Sequence, residues 1–474
     1  NLLLYVPRTQ TAPQAGVKGG DIIKKLENFL RSLILMLTAV LICQIYSPQL
    51  QKMAAEFTRK RTQGSSQKET LADETTRAYG ALTERYDSRD VGRAPAVKNQ
   101  GNLGTCWALA ATSALEAALL PEETWSFSAD HMSMQNGYEK NQNDGGAYPM
   151  AMAYLASWTG PVTEADDPYG DGYSPEGLQA VKHVQEMHLL KSASPDEIKQ
   201  EIYKYGAVQA SVYVDPNTGM TNSPWYDKTE ASYCYRGEAS ANHDILVIGW
   251  DDAFPAEVFA GEVSENGAWI CQNSWGENFG EDGIFYVSYE DSRIAETCVS
   301  YANIQDTDNY SRIYQTDLCG WVGQIGYGTE DCYFANVYTA KDDEELSAVG
   351  FYATGKDTSY EVYTAVPFED TTSLVVWDAA RTGHVEQAGY YTIDLEEPVE
   401  LLAGITFAVI VKITTADAGY PVAAEYQADE NTAGLDISDG QGYVSQYGYS
   451  WTRTEDAYGC NVCLKAYTKL LEEE

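Results

Sequence analysis

Hydrophobic and polar positions alternate differently along three stretches of the chain, and each pattern predicts its own elements. Trp107 to Leu120 is rich in Ala and Leu and reads as a helix. Ile245–Trp250, Ala268–Gln272 and Ile284–Val287 are short apolar runs that read as strands, so the region from Tyr86 to about Asn303 mixes helix and strand. Beyond about Asp308 the runs become uniformly β-like, as in Ser347–Ala353, Tyr360–Tyr363 and Thr406–Lys412. Gly- and Asp-rich turns divide them, which is the pattern of an all-β sandwich. Near the start, residues 32–46 form an apolar stretch behind Lys24, Lys25 and Arg31, the order of a secretory signal, with an uncleaved N-terminal membrane anchor as the alternative. That stretch is short against the roughly 20 residues of a membrane span. Residues 48–85, with Gly64-Ser65-Ser66-Gln67, read as a polar linker or short pro-segment. The expected organisation is a leader over 1–85, an α+β domain over 86–305 and a β-sandwich domain over 306–474.

Charge narrows the partners. The 474 residues carry 70 Asp+Glu against 31 Lys+Arg, a net charge of −39, and residues 1–85 hold 12 basic and 7 acidic side chains, so the acidity lies in the folded body. Such a body repels phosphate backbones, which argues against nucleic-acid binding, and suits a soluble secreted or cell-surface protein. Nine cysteines are too sparse for a disulfide scaffold. Cys460 and Cys463 form a lone CxxC without a second pair, a weak zinc signal, and neither a metal nor a cofactor is expected.

The chemistry sits in Val97-Lys-Asn-Gln-Gly-Asn-Leu-Gly-Thr-Cys-Trp-Ala-Leu-Ala-Ala111, a glycine-punctuated loop that runs into the predicted helix with Cys106 at the junction. Unpaired N–H groups and the positive end of the helix dipole favour a thiolate there. A thiolate attacking an amide needs a group that protonates the departing amine, and His243 begins a strand-like run in Asn242-His-Asp-Ile-Leu246. Asn273, in Gln272-Asn-Ser-Trp-Gly276, supplies an amide oxygen to orient the imidazole, with Trp275 to shield that bond. Gln100 offers an NH2 group that, with the Cys106 backbone N–H, suits an oxyanion hole.

These segments resemble the papain-like cysteine peptidases, whose order is Gln, Gly-rich turn, Cys-Trp, a His strand and Asn-Ser-Trp-Gly. His243 follows Cys106 by 137 residues and Asn273 by 167. The family places both about 130–150 residues downstream, and the surplus lies in Asp251 to Asn266, which reads as an inserted surface loop. The resemblance covers about residues 86–300. It implies a two-lobed fold with a helical lobe and a β-barrel-like lobe, a mature start at Tyr86-Asp-Ser-Arg-Asp90, and a substrate-pairing edge at Gly145 and Gly146 within Asp144–Pro149. Gly145, Gly146, Asp244 and Trp275 are therefore expected to contact substrate, beside catalytic Cys106, His243, Asn273 and Gln100. The C-terminal part is similar to the lectin-like domain found behind such catalytic domains in bacterial surface proteins, and implies a glycan or cell-surface ligand, with Trp321, Trp377 and Trp451 as stacking candidates.

Two departures stand out. Leu103 occupies a position where many relatives have a disulfide cysteine, and Asp244 stands where a small apolar residue usually lines the S2 pocket. If the Asp244 carboxylate faces that pocket, Lys or Arg is favoured at P2. The sequence thus points to a secreted or surface-tethered bacterial cysteine endopeptidase acting on proteins or peptides through a thioester acyl-enzyme. A peptidoglycan-directed Cys-His amidase and a catalytically silent adhesin on the same fold are the rival readings.

Overall fold

The computed structural model describes residues 82–471, and the apolar stretch at 32–46, Cys43 and nearly all of the polar linker lie outside them. Among the described residues, the longest helix, α1 (Cys106–Leu119), begins at the nucleophile candidate and is buried from Trp107 through Ala117. Its Ala-rich sequence follows from that burial: small side chains let it be enclosed on all sides. Against it pack α2 (Ala129–Met134), capped by Ser128, and α3 (Tyr148–Ala156), with Pro149 in its first turn, while α4 (Pro195–Tyr205), opened by a Ser194–Glu197 capping box, packs against the sheet.

The predicted strands are present as His243–Asp251, Ala268–Gln272 and Ile284–Ser288, hydrogen-bonded side by side. The segment at the expected mature start, Arg85–Asp87, pairs antiparallel with Gly249–Asp251 at the far end of the His243 strand. The inserted stretch over 251–266 is pinned at its base, where Phe254 stacks on Tyr286 at 4.6 Å and contacts Phe259.

The C-terminal region is a two-layer sandwich. One layer is a six-stranded sheet that includes Asp331–Thr339, Thr358–Ala365 and Thr406–Thr415; the other contains Glu344–Ala353, Ala388–Leu401 and Leu464–Leu470. Val349, Phe351, Val362, Val409 and Val411 fill the space between them. The second layer does not stop at the domain boundary. Ala388–Tyr391 pairs antiparallel with Glu186–Leu189, so one sheet of 16 strands runs from the sandwich into the α+β domain. Gly389 makes that junction possible, since its φ is +145° and a Cβ there would lie 1.9 Å from the Met187 carbonyl oxygen. A single apolar cluster likewise spans both regions, from Trp107 and Leu115 to Tyr352 and Tyr390. The two domains expected on either side of residue 305 thus share a sheet and a core cluster.

Candidate active site

Cys106 is the first residue of α1 and lies against the backbone N–H of Asp244, which brings the sulfur to the start of the strand that opens with His243. The His243 Nε2 faces the Asn273 Oδ1 at 2.8 Å, leaving Nδ1 for the sulfur. Asn273 is held by its own backbone, its N–H donating to the Gly283 carbonyl at 2.9 Å, while its Oδ1 also accepts from the Ser274 N–H at 2.8 Å. The Trp275 indole stacks on the imidazole at 4.7 Å and 26°, which keeps water off the His243–Asn273 bond.

Gln100 is locked into the same assembly. Its Oε1 accepts from the Ser274 hydroxyl at 2.7 Å and from the Trp275 Nε1 at 3.1 Å, and its Nε2 donates to the Leu103 carbonyl at 2.8 Å. A primary amide has two N–H donors, so one is left over. Gly145 and Gly146 border the nucleophile loop. A Cβ on Gly104 would meet the Gly145 nitrogen at 2.9 Å, and one on Gly146 would enter the Trp107 ring at 2.2 Å. Only glycine fits this edge.

Burial governs the protonation states. It pushes the Cys106 thiol up to about 12, with the Asp244 charge adding to the effect and backbone N–H groups opposing it. It drives the His243 imidazole down to about 4 against the opposing Asn273 bond. Burial therefore opposes charging of both groups, and the two form no hydrogen bond with each other in this structure. At the sulfur the backbone N–H groups work against burial, in the direction that the helix position suggests. Among the described residues no cluster of three or more His, Cys, Asp or Glu is arranged to hold a metal ion, and the eight cysteines are free thiols.

Residues 82–304 match the model of the papain family cysteine protease, and residues 313–468 that of the lectin like domain. Residues 82–304 are thus similar to the papain family of cysteine proteases. The probable cysteine protease RD19B of Arabidopsis thaliana is 27% identical over 223 residues, 44% of this chain and 58% of that protein, so the chain spans less than two thirds of that relative. The clostridial cysteine protease Cwp84 after propeptide cleavage superposes with a TM-score of 0.72 at 24% identity, over 82% of this chain and all of that one. A second structure, the cysteine protease and lectin-like domains of Cwp84, a surface layer associated protein of Clostridium difficile, gives 0.70 at 24%, over 83% and 90%. These likenesses extend the shared fold across both domains.

In the protease domain one expectation is overturned. The Asp244 carboxylate is not offered to a P2 side chain, because Oδ2 accepts from the Gln209 amide at 2.7 Å and Oδ1 from the Ser211 hydroxyl at 2.6 Å. Ser211 lies directly opposite Asp244 in the sheet, so the acid is satisfied by its cross-strand neighbour. Other residues that hold the site were missed. Lys98 Nζ pairs with the Glu116 carboxylate at 2.7 Å and the Thr112 hydroxyl at 2.9 Å, tying the Gln100 loop to α1. Tyr169 donates to the Gln100 carbonyl at 3.0 Å and contacts the Thr105 hydroxyl. Glu116 inside an otherwise apolar helix was the readable signal, since a buried carboxylate requires a partner.

Proposed function

We propose that the chain is a cysteine endopeptidase with Cys106 as nucleophile, His243 as base and acid, Asn273 as orienter, and Gln100 with the Cys106 N–H as oxyanion hole. The observation that carries this reading is the His243–Asn273 bond of 2.8 Å under the Trp275 ring, at the strand end against which Cys106 packs. Substrate drives the proton from sulfur to imidazole, because the two charges stabilise each other once a peptide excludes water between them. The thiolate forms a C–S bond to the scissile carbonyl carbon, and the negative oxygen is met by the spare Gln100 N–H and the Cys106 N–H. His243 returns the proton to the amine as the C–N bond breaks, leaving a thioester. A water deprotonated by His243 then releases the acid and restores the thiol.

The domain division is taken at residue 305, and the lectin-like domain is read as an attachment module for glycan or another surface ligand, in a bacterial extracellular or cell-surface setting. Of the three tryptophans considered, Trp377 is 85% exposed; Tyr447 and Tyr449 are exposed too, their rings stacked at 5.7 Å, and such flat faces suit sugar rings. Trp451 packs on the sandwich core and Trp321 lies at the domain junction. The test is labelling of the purified chain with an epoxysuccinyl thiol-protease inhibitor while hydrolysis of a dipeptidyl fluorogenic substrate is followed. Stoichiometric labelling and turnover, both lost in Cys106→Ala, are expected; intact turnover in Cys106→Ala rules the reading out. Cleavage of muropeptides but not of casein would favour the amidase instead.

A further inference from the structure

A cavity of about 360 Å³ opens where the two domains meet. The protease domain contributes Tyr148, Pro149 and Met152 from the start of α3 and Lys191 from the end of the strand His183–Lys191; the lectin-like domain contributes Trp321 and Gln324. Tyr148 ties the cavity to the expected substrate edge. Tyr148 follows Gly146 by two residues and its phenol feels the charge of Asp244, the neighbour of both His243 and Cys106. The walls are held in place by the sheet that joins the domains, with Leu189, two residues before Lys191, paired to Ala388.

Its chemistry is unusual for this chain. The Lys191 Nζ lies 4.7 Å from the centre of the Trp321 ring, and among the described residues no carboxylate stands within ion-pair distance of it. In a protein with 70 acidic and 31 basic side chains, a lysine at a cavity mouth without an acidic neighbour leaves positive charge for a ligand. Aromatic and thioether groups beside it suit the methylenes of a side chain whose tip is an anion.

We propose that this cavity is a substrate subsite built jointly by both domains, and that it selects an acidic side chain upstream of the scissile bond, beyond the residues that lie along Gly145 and Gly146. The inference rests on the proteolytic reading above. The lectin-like domain then serves specificity as well as attachment, since Trp321 forms a wall of the subsite.

Two measurements separate this subsite from the proteolytic reading. Fluorescent peptides carrying Glu, Ala or Lys at each upstream position are titrated against the Cys106→Ala chain, and kcat/KM is measured for the same series with the intact enzyme. Glu is expected to exceed Lys by about three- to tenfold at one position, the range of a partly screened ion pair. Lys191→Glu reverses the order, Lys191→Met flattens it, and Trp321→Ala weakens every extended peptide while sparing a dipeptidyl substrate. Epoxysuccinyl titration of each variant confirms an intact nucleophile. Equal rates and affinities for Glu and Lys at all upstream positions, in an enzyme that labels fully, overturn the subsite. Charge discrimination by the Cys106→Ala chain without labelling or turnover of the intact one overturns proteolysis and leaves the subsite standing as a peptide-binding site.

Discussion

Two buried polar networks lie in this molecule, one in the protease domain and one inside the lectin-like domain, and their difference separates a site from a scaffold. In the lectin-like domain, Lys465 and Asp317 are almost wholly buried and meet at 2.8 Å. The Asn461 amide beside them bridges the Thr316 carbonyl at 3.0 Å, the Asp436 carbonyl at 3.1 Å and the Glu425 carboxylate at 3.2 Å. Burial, with the Asp317 charge, pushes the Glu425 carboxyl up to about 7. There the Lys465 and Asp317 charges answer each other within the interior, although Asn461 Oδ1 is buried without a hydrogen-bond partner. In the protease domain the groups Cys106, His243, Asn273 and Gln100 are just as firmly held, yet an imidazole nitrogen and an amide N–H are left over at the cleft. Burial of polar groups is common to both networks, but spare bonding capacity at a surface marks the one that receives a ligand.

The comparison is broken most strongly by removing the proposed base. His243→Ala is expected to lower kcat/KM by about 10²- to 10⁴-fold with little change in urea midpoint, measured on the dipeptidyl substrate. Next comes the mirror experiment, Lys465→Met, which leaves Asp317 buried without its cation. A loss of about 3–5 kcal/mol is expected in urea unfolding, with unchanged turnover per folded molecule below the transition; an unaltered midpoint would contradict the scaffold role.

Smaller effects sharpen the contrast at the junction. Gly389→Ala forces a side chain onto the Met187 carbonyl at a positive φ and is expected to cost about 1–3 kcal/mol. Because the joined sheet carries the shared cavity, cleavage of extended peptides should fall more than that of dipeptidyl substrates. The same strand pair also carries a titrating group. His188, opposite Gly389, is buried, which disfavours its charge, but Glu186 at 2.7 Å and Glu201 at 3.0 Å prevail and raise it to about 9. A folded-state value above the unfolded 6.5 means that this stabilisation is complete below pH 6.5 and is lost as the pH rises through 9. A decline of about 3 kcal/mol in unfolding free energy across that window is expected, and His188→Gln should flatten it.

The chain order alone determined the catalytic reading. Cys106, His243, Asn273 and Gln100 each sit in a short motif whose local geometry, a helix start, a strand start or a tight turn, follows from neighbouring residues. The change of texture near residue 308 likewise announced a second, all-β region, because strand periodicity is a local property. Tertiary structure decided what depends on residues far apart. Asp244 reads as a pocket acid until Ser211 and Gln209 arrive from the adjoining strand and occupy both its oxygens. Lys98 and Glu116 stand 18 positions apart, and nothing in either segment names the other. The pairing of Ala388–Tyr391 with Glu186–Leu189 crosses some 200 positions, and only folding brings those edges together, joining the two expected domains in one sheet and creating a cavity that neither possesses alone.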